Sequence, residues 1–159
     1  ADALTLLADD RGLSDLLVKR LNIPTVITPH PKEASRLLQC TVEEIEQDRY
    51  QAVKALESKF KCFCILKGKG TCIRAPQGPT FVMMPGDSGL SKGGSGDLLS
   101  GILGGLLVQN LSPLQGVLLS VFLQGRASEL LSQKYGTERS SLASEIAAEV
   151  INAWKEIEA

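Results

Sequence analysis

Several residue types that define common protein classes are scarce in this sequence of 159 residues. It has a single histidine, His30, and four cysteines without a Cys-x-x-Cys pair, so neither a zinc-ligand set nor a disulfide framework is expected. Lys and Arg number 17 against 18 Asp and Glu, which leaves no positive surplus to attract nucleic acid or an anionic membrane. We therefore expect a cytoplasmic protein with reduced thiols at Cys40, Cys62, Cys64 and Cys72.

Charged residues are missing from a run of 28 positions, Leu98 to Gly125. This run is longer than the roughly 20 residues that a membrane-spanning helix needs. Polar Gln109 and Asn110 interrupt it, and Ser112 and Pro113 are suited to cap and begin a new helix. We predict two buried helices joined by a short turn, and no membrane span.

The length of the chain limits the number of domains. With 43% apolar and 22% charged residues, it can form one globular domain or most of one, and is too short for two of ordinary size. Helical spacing begins within two residues of the chain start, with a break at residues 9–12, and no strand precedes it. Such an opening is typical of the middle of an α/β domain.

Strand and helix signals alternate along the rest of the chain. Short apolar runs predict strands at residues 25–27, 62–66, 71–74 and 80–83. Helical spacing predicts helices at residues 32–38, 42–59 and 142–157. The helix at 42–59 has a capping-box pattern, Thr41 with Glu44 three residues later. This alternation favours a layered α/β fold.

A glycine-rich segment precedes the first uncharged helix. Four of the eight residues from Gly89 to Gly96 are glycine. Helix amino termini expose unpaired N–H groups and the positive end of the helix dipole, and glycines let these groups converge on one anion. The segment therefore predicts a phosphate site, whose anion hole consists of Gly93, Gly94, Ser95 and Gly96.

Asp97 begins the helix after this loop. Because a carboxylate repels a bound phosphate, Asp97 is better explained as a general base or water-orienting group than as a phosphate ligand. The alternative is that it only caps the amino terminus of a buried helix.

Other phosphate and nucleophile motifs fit the glycine-rich segment less well. It matches neither GxxxxGK[ST] nor GxGxxG, so neither a P-loop nor a dinucleotide fingerprint is expected. Gly89, Ser91 and Gly93 do match the GxSxG elbow of serine hydrolases. That catalytic triad needs a histidine after the serine, and His30 precedes it, so a serine hydrolase is a weak alternative.

Two further loops follow predicted strands. One places two cations, two glycines and a hydroxyl after the strand at 62–66, in the residues Lys67, Gly68, Lys69, Gly70 and Thr71. Ligands of open α/β sheets bind at such strand ends, so this loop can hold the phosphates or ribose of a nucleotide, with an ordinary basic hairpin as the alternative. The other loop presents His30 between two prolines, as a candidate site residue or as a surface histidine.

Together these segments resemble one family, the ADP- or ATP-dependent NAD(P)H-hydrate dehydratases, a branch of the ribokinase-like superfamily. The resemblance covers nearly the whole chain and is seen in ADALTLLA, TPHPKEASRLL, LKGKGT, GLSKGGSGDLLSGILGGLL, LQGRASELL and LASEIAAEVINAWKEI. GGSGD alone is shared with the related hydroxymethylpyrimidine, hydroxyethylthiazole and pyridoxal kinases. TPHPKE together with LKGKGT and LSKGGSGDLLSG favours the dehydratases.

The resemblance implies a fold and a reaction. The fold is a three-layer α/β/α domain with a mostly parallel central sheet, of which residues 1–159 form the carboxyl-terminal portion, lacking the amino-terminal portion. The reaction is the repair of (6S)-NAD(P)H hydrate: ADP or ATP phosphorylates the ring hydroxyl, and loss of phosphate restores NADH or NADPH. Mg²⁺ is expected on the nucleotide phosphates, although no protein ligand for it is evident. A homo-oligomer and an epimerase domain or partner are also implied.

The resemblance also assigns residues to roles. His30 and Asp97 contact the hydrate, with Asp97 as the base, while the loop from Lys67 to Thr71 and Gly96 bind the nucleotide. Asp87 and Gln124 depart from the Asn and His that are common at these positions, and neither is assigned to the chemistry. Two alternatives remain, a small-molecule kinase of a vitamin precursor and an inactive nucleotide-binding subunit.

Overall fold

A computed structural model describes residues 2–20, 23–139 and 141–158, and the chain divides into two units, residues 1–82 and 83–159. The described helices of the first unit are α1 (Asp2–Asp9), α2 (Arg11–Val18), α3 (Pro31–Leu38), α4 (Val42–Gln47) and α5 (Arg49–Phe60). The strands are β1 (Val26–Ile27), β2 (Phe63–Leu66), β3 (Thr71–Arg74) and β4 (Thr80–Met83). The second unit contains a 3₁₀-helix (Ser88–Ser91), α6 (Ser95–Leu107), α7 (Pro113–Tyr135) and α8 (Ala143–Glu158).

The prediction of a single helix at residues 42–59 is wrong, because the structure has two helices there, α4 and α5. Asp48 separates α4 from α5 with φ −143° and ψ 80°, outside the helical region. Its carboxylate accepts a hydrogen bond from the Gln51 N–H at 2.9 Å and so caps α5. A short polar side chain that binds a nearby N–H can begin a new helix even where helical spacing continues.

The sheet order is β1-β2-β3-β4. Strands β1 and β2 are parallel, with Val26 opposite Phe63, whereas β2 and β3 are antiparallel, with Ile65 opposite Ile73. The connection at residues 67–70 is too short for a parallel crossover, which needs about a dozen residues or more. The described part of the sheet is therefore mixed.

The core of the first unit forms where α3 and α5 pack with β2. Its fully buried side chains include Leu37, Val53, Leu56, Phe60 and Leu66. Apolar positions three and four residues apart on α5 face this core, which orients the amino end of α5 as well.

The uncharged run forms two helices, as predicted. Ser112 caps α7, its hydroxyl accepting a hydrogen bond from the Gln115 N–H at 3.3 Å, and Pro113 is the first helical residue. The buried side chains shared by α6, α7 and α8 include Leu106, Leu123 and Ile146. Among the described residues, no helix has both the length and the apolar character needed to cross a bilayer.

Replacing Phe60 with alanine tests the core of the first unit. Because the Phe60 ring is fully buried, we expect Phe60→Ala to lower the free energy of unfolding by about 3–5 kcal/mol, measured by urea denaturation. Tyr50→Ala on the same helix is the control, since Tyr50 is 56% exposed and should cost well under that amount. Equal losses in the two variants would contradict this core.

Candidate functional site

The parallel pairing of β1 with β2 brings two of the predicted site loops together. The Lys67 N–H donates a hydrogen bond to the Pro29 C=O at 2.9 Å, just beyond the ends of both strands. His30 and the loop Lys67–Thr71 therefore lie at one edge of the sheet, at the carboxyl ends of its parallel strands, where ligands bind in α/β folds.

His30 is the amino-terminal cap of α3. Its Nδ1 accepts a hydrogen bond from the Glu33 N–H at 3.2 Å, and the Glu33 carboxylate accepts one from the His30 N–H at 2.8 Å. With Nδ1 accepting, the neutral ring carries its proton on Nε2, which lies 3.4 Å from the Glu33 carboxylate. Burial lowers the pKa of His30, and the positive charge of Lys67 lowers it further. The negative charge of Glu33 acts in the opposite direction and raises the pKa. The side chain is 48% exposed, so a neutral imidazole is held in a defined orientation and remains accessible.

The loop Lys67–Thr71 connects β2 to β3. Gly68 has φ +146° and Gly70 φ +64°, which are conformations that residues with a Cβ rarely adopt. The Thr71 hydroxyl donates to the Gly68 C=O at 3.0 Å and closes the turn. Gly68 and Lys69 are exposed, so the loop offers backbone and cationic groups to a ligand.

The amino terminus of α6 is open in the second unit. The helix begins at Ser95, and its cap is Gly94, with φ +87° and ψ −17°. Within the described part of the chain no side chain caps this end, so the alternative that Asp97 is the cap is wrong. Asp97 is the third helical residue and its side chain is exposed. The Ser95 N–H donates to the Lys92 C=O at 3.4 Å, and the first intrahelical bond runs from the Leu98 N–H to the Gly94 C=O. The N–H groups of Gly96 and Asp97 lie between these two bonds and share one helical turn with the accessible carboxylate.

Ser95 gives this turn a buried polar group. The residue is only 8% exposed, and among the described residues its hydroxyl has no hydrogen-bond partner. Its C=O accepts a hydrogen bond from the buried side-chain amide of Gln124 on α7 at 2.6 Å. An unsatisfied buried hydroxyl is costly, so a ligand oxygen at this position would relieve that cost.

The rest of the glycine-rich segment is tied to α7 and to the chain before α8. The Asp87 carboxylate accepts hydrogen bonds from the Gly89 N–H at 3.0 Å and from the Ser128 hydroxyl at 2.5 Å. The Lys92 ammonium donates to the Ser141 C=O at 2.9 Å and also to the Arg139 C=O. These long-range anchors hold the loop in place before the open helix end.

Three of these structural roles were not predicted. Asp87 and Gln124 were noted only as departures from the family pattern, yet both hold the backbone of the loop and of α6. Arg49, under the Lys67–Thr71 loop, was not singled out, because its hydrogen-bond partner Leu66 lies 17 residues away in sequence.

Ser91 lies in a 3₁₀-helix and not at a strand-to-helix elbow, which removes the serine hydrolase alternative.

Comparison with known proteins shows the family of this chain. The pattern of the NAD(P)H-hydrate dehydratase family matches residues 1–152. The chain belongs to the NAD(P)H-hydrate dehydratase family. It is 42% identical over 146 residues to the bifunctional NAD(P)H-hydrate repair enzyme Nnr of Escherichia coli, covering 92% of this chain and 27% of that protein.

Two further relatives of this chain are shorter than the Escherichia coli enzyme. It is 36% identical to the ADP-dependent (S)-NAD(P)H-hydrate dehydratase of Neisseria meningitidis, covering 92% of this chain and 49% of that protein. The crystal structure of the ADP/ATP-dependent NAD(P)H-hydrate dehydratase of Bacillus subtilis, co-crystallized with ATP/Mg²⁺, superimposes with a TM-score of 0.79 at 32% identity. That match covers 84% of this chain and 48% of the other. The chain thus spans half or less of these relatives, and its ribokinase-like α/β fold is confirmed.

Alanine substitutions at Gly94 and Gly93 test the backbone of the open helix end. Gly94→Ala should lower the free energy of unfolding by about 1–2 kcal/mol, because a Cβ is disfavoured at a left-handed φ. This Cβ would also lie 3.1 Å from the Ala143 Cβ. Gly93→Ala is the matched control, since its Cβ would meet no described atom within 4 Å. Urea denaturation that shows equal stability for the two variants would contradict this conformation.

Proposed function

We propose that the protein to which this chain belongs uses ADP or ATP to convert (6S)-NAD(P)H hydrate to NADH or NADPH. The observation that carries the proposal is the amino terminus of α6, which combines an uncapped end, the buried Ser95 hydroxyl and the exposed Asp97 carboxylate. Family membership and the names of the relatives support the same activity.

The open helix end serves the phosphoryl transfer. Charge spreads over the oxygens of the transferring group, and N–H donors aimed at those oxygens stabilise it. Gly93, Gly94, Ser95 and Gly96 supply the backbone N–H groups of the anion hole, and the helix dipole adds a positive field. The Ser95 hydroxyl provides a further donor whose hydrogen bond is unused in the described structure.

Asp97 acts as the general base. The ring hydroxyl of the hydrate must lose its proton as its oxygen attacks the terminal phosphorus atom of the nucleotide. The bond from that phosphorus to the bridging oxygen breaks, releasing AMP from ADP or ADP from ATP. The carbon–oxygen bond of the phosphate ester then breaks and phosphate leaves with the bonding electron pair. A carbon–carbon double bond forms as the proton on the adjacent carbon passes to water. Asp97 takes the hydroxyl proton and does not itself bind phosphate.

His30 orients the hydrate. Its neutral ring, fixed by the Glu33 N–H, presents Nε2–H as a donor to a polar group of the substrate. The adjoining loop binds the nucleotide through Lys67, Gly68, Lys69, Gly70 and Thr71, and Gly96 makes a further contact to it.

Mg²⁺ accompanies the nucleotide in this proposal. Within the described ranges, no group of three or more His, Cys, Asp and Glu side chains is arranged to hold a metal ion. The residues therefore do not form a protein cage, and Mg²⁺ would be held chiefly by the phosphates and water, as is common for this ion.

The larger assembly is also part of the proposal. The relatives from Neisseria meningitidis and Bacillus subtilis are about twice as long as the matched region. We propose that residues 1–159 are the carboxyl-terminal portion of one ribokinase-like catalytic domain. The complete protein would be a cytoplasmic homo-oligomer that works with an epimerase domain or partner, as the family resemblance implies. The Escherichia coli relative is named as bifunctional, which supports a second catalytic domain or partner.

An absorbance assay tests the activity. The full-length protein is incubated with NADPH hydrate, Mg²⁺ and either ADP or ATP, and the absorbance of the reduced nicotinamide is followed. Recovery of that absorbance with release of AMP or ADP and phosphate is expected. Consumption of nucleotide with a stable phosphorylated vitamin precursor, and no recovery from the hydrate, would favour the kinase alternative and overturn the proposal.

Asp97→Asn separates catalysis from binding. Loss of a general base should lower turnover by about 10²–10⁴-fold. Nucleotide affinity, measured by calorimetry, should change little because Asp97 does not bind phosphate. Asp15→Asn, an exposed substitution on α2, is the control for loss of a carboxylate. Near-normal turnover of Asp97→Asn would rule out the base.

A further inference from the structure

Arg49 lies beneath the loop that connects β2 to β3. It is the first residue of α5, and its side chain is only 13% exposed. One terminal guanidinium nitrogen, Nη2, donates a hydrogen bond to the C=O of Leu66, the last residue of β2, at 3.0 Å. The other, Nη1, lies 3.1 Å from both carboxylate oxygens of Glu46 on α4. Arg49 therefore joins the end of β2 to the end of α4 and the start of α5.

The guanidinium also occupies the space beside Gly68. A Cβ built on Gly68 would lie 2.9 Å from both Nη1 and Nη2 of Arg49, closer than real Cβ contacts. With φ +146°, Gly68 adopts a conformation that already favours glycine. The backbone of the loop thus rests directly on the guanidinium, with no side chain between them.

Arg49 acts on the far end of the loop as well. Burial raises the pKa of the Cys72 thiol, and the charge and hydrogen bonding of Arg49 oppose that shift, so the guanidinium is close to the second residue of β3. The Cys72 thiol also donates to the Gly70 C=O at 3.5 Å. Arg49 consequently borders the loop at Leu66, at Gly68 and at Cys72.

Two features of this position contribute unfavourably to the free energy of folding. A cation at the first residue of a helix faces the positive end of the helix dipole. Its buried Nε has no hydrogen-bond partner among the described residues. Neither feature stabilises α5, and Glu46 offsets only part of the electrostatic cost because it is about half exposed. The contacts that benefit from a planar guanidinium here are those to the loop.

We infer that Arg49 is a positioning residue for the nucleotide. It holds the backbone of Lys67–Thr71 from below, so that the loop is already ordered when phosphate or ribose oxygens bind on its exposed side. Arg49 does not touch the nucleotide itself. The inference rests on the proposed function only in assigning the nucleotide to this loop.

Variants of the full-length protein test the role of Arg49. Arg49→Met removes the guanidinium group, and Arg49→Lys keeps the positive charge without the planar guanidinium. Lys54→Met is a matched control at an exposed position on the same helix. Loss of a hydrogen bond from a charged group should weaken ADP and ATP binding about tenfold or more in Arg49→Met. Arg49→Lys should lie between Arg49→Met and the unsubstituted protein, and Lys54→Met should bind like the latter.

Two further measurements separate positioning from general destabilisation. The KM for nucleotide should rise in Arg49→Met, while kcat and the KM for the hydrate stay nearly unchanged. Hydrogen exchange in the absence of nucleotide should accelerate at the amides of residues 67–71 and not in the core of α5. If Arg49→Met does not fold, the same measurements on Arg49→Lys decide.

The outcomes for the inference and for the proposed function differ. Unchanged nucleotide affinity and unchanged loop exchange in a folded Arg49 variant would overturn the inference, even if the enzyme dehydrates the hydrate. Nucleotide binding that depends on Arg49, in a protein without dehydratase activity, would support the inference and reject the proposed function. A protein that binds no nucleotide would overturn both.

Discussion

The hydrogen bond from the Lys67 N–H to the Pro29 C=O is the constraint on which the site in the first unit depends. It continues the parallel pairing of β1 with β2 by one step beyond the strands, where the chain turns into two loops. Because both strands end at the same edge, one loop presents His30 and the other presents Lys67 to Thr71. A shift in the register of this pair would separate residues that lie 37 or more positions apart in sequence.

The amino termini of α3 and α6 differ in capping, because side chains cap α3 and no side chain caps α6 among the described residues. At α3, the ring of His30 binds the Glu33 N–H and Glu33 binds back, so the end is closed by its own side chains. At α6, Gly94 has no side chain to close the end, and the Ser95 hydroxyl is buried without a partner among the described residues. A closed end orients a side chain, whereas an open end can bind an anion. The two helix ends therefore differ in the group that each can present, a side chain at α3 and backbone N–H groups at α6.

Local signals predicted much of the fold. Ser112 and Pro113 marked the start of α7 because a cap and a first-turn proline act within a few residues. The prediction failed at Asp48, where helical spacing continued through a real break. The short connection at 67–70 made β2 and β3 antiparallel, in agreement with the hairpin that remained an alternative for this segment. For the site, the glycine loop and its helix were predictable, since glycine content and helix start are adjacent in sequence.

The sequence by itself determined the elements and the residue types at their ends, because capping, turn formation and apolar periodicity are short-range effects. Only the tertiary structure decided which distant groups support the site. Arg49 meets Leu66 and Gly68 because core packing places the amino end of α5 against the end of β2. Gln124 meets Ser95 because α7 packs along α6. Such contacts depend on how helices pack, which no local pattern specifies.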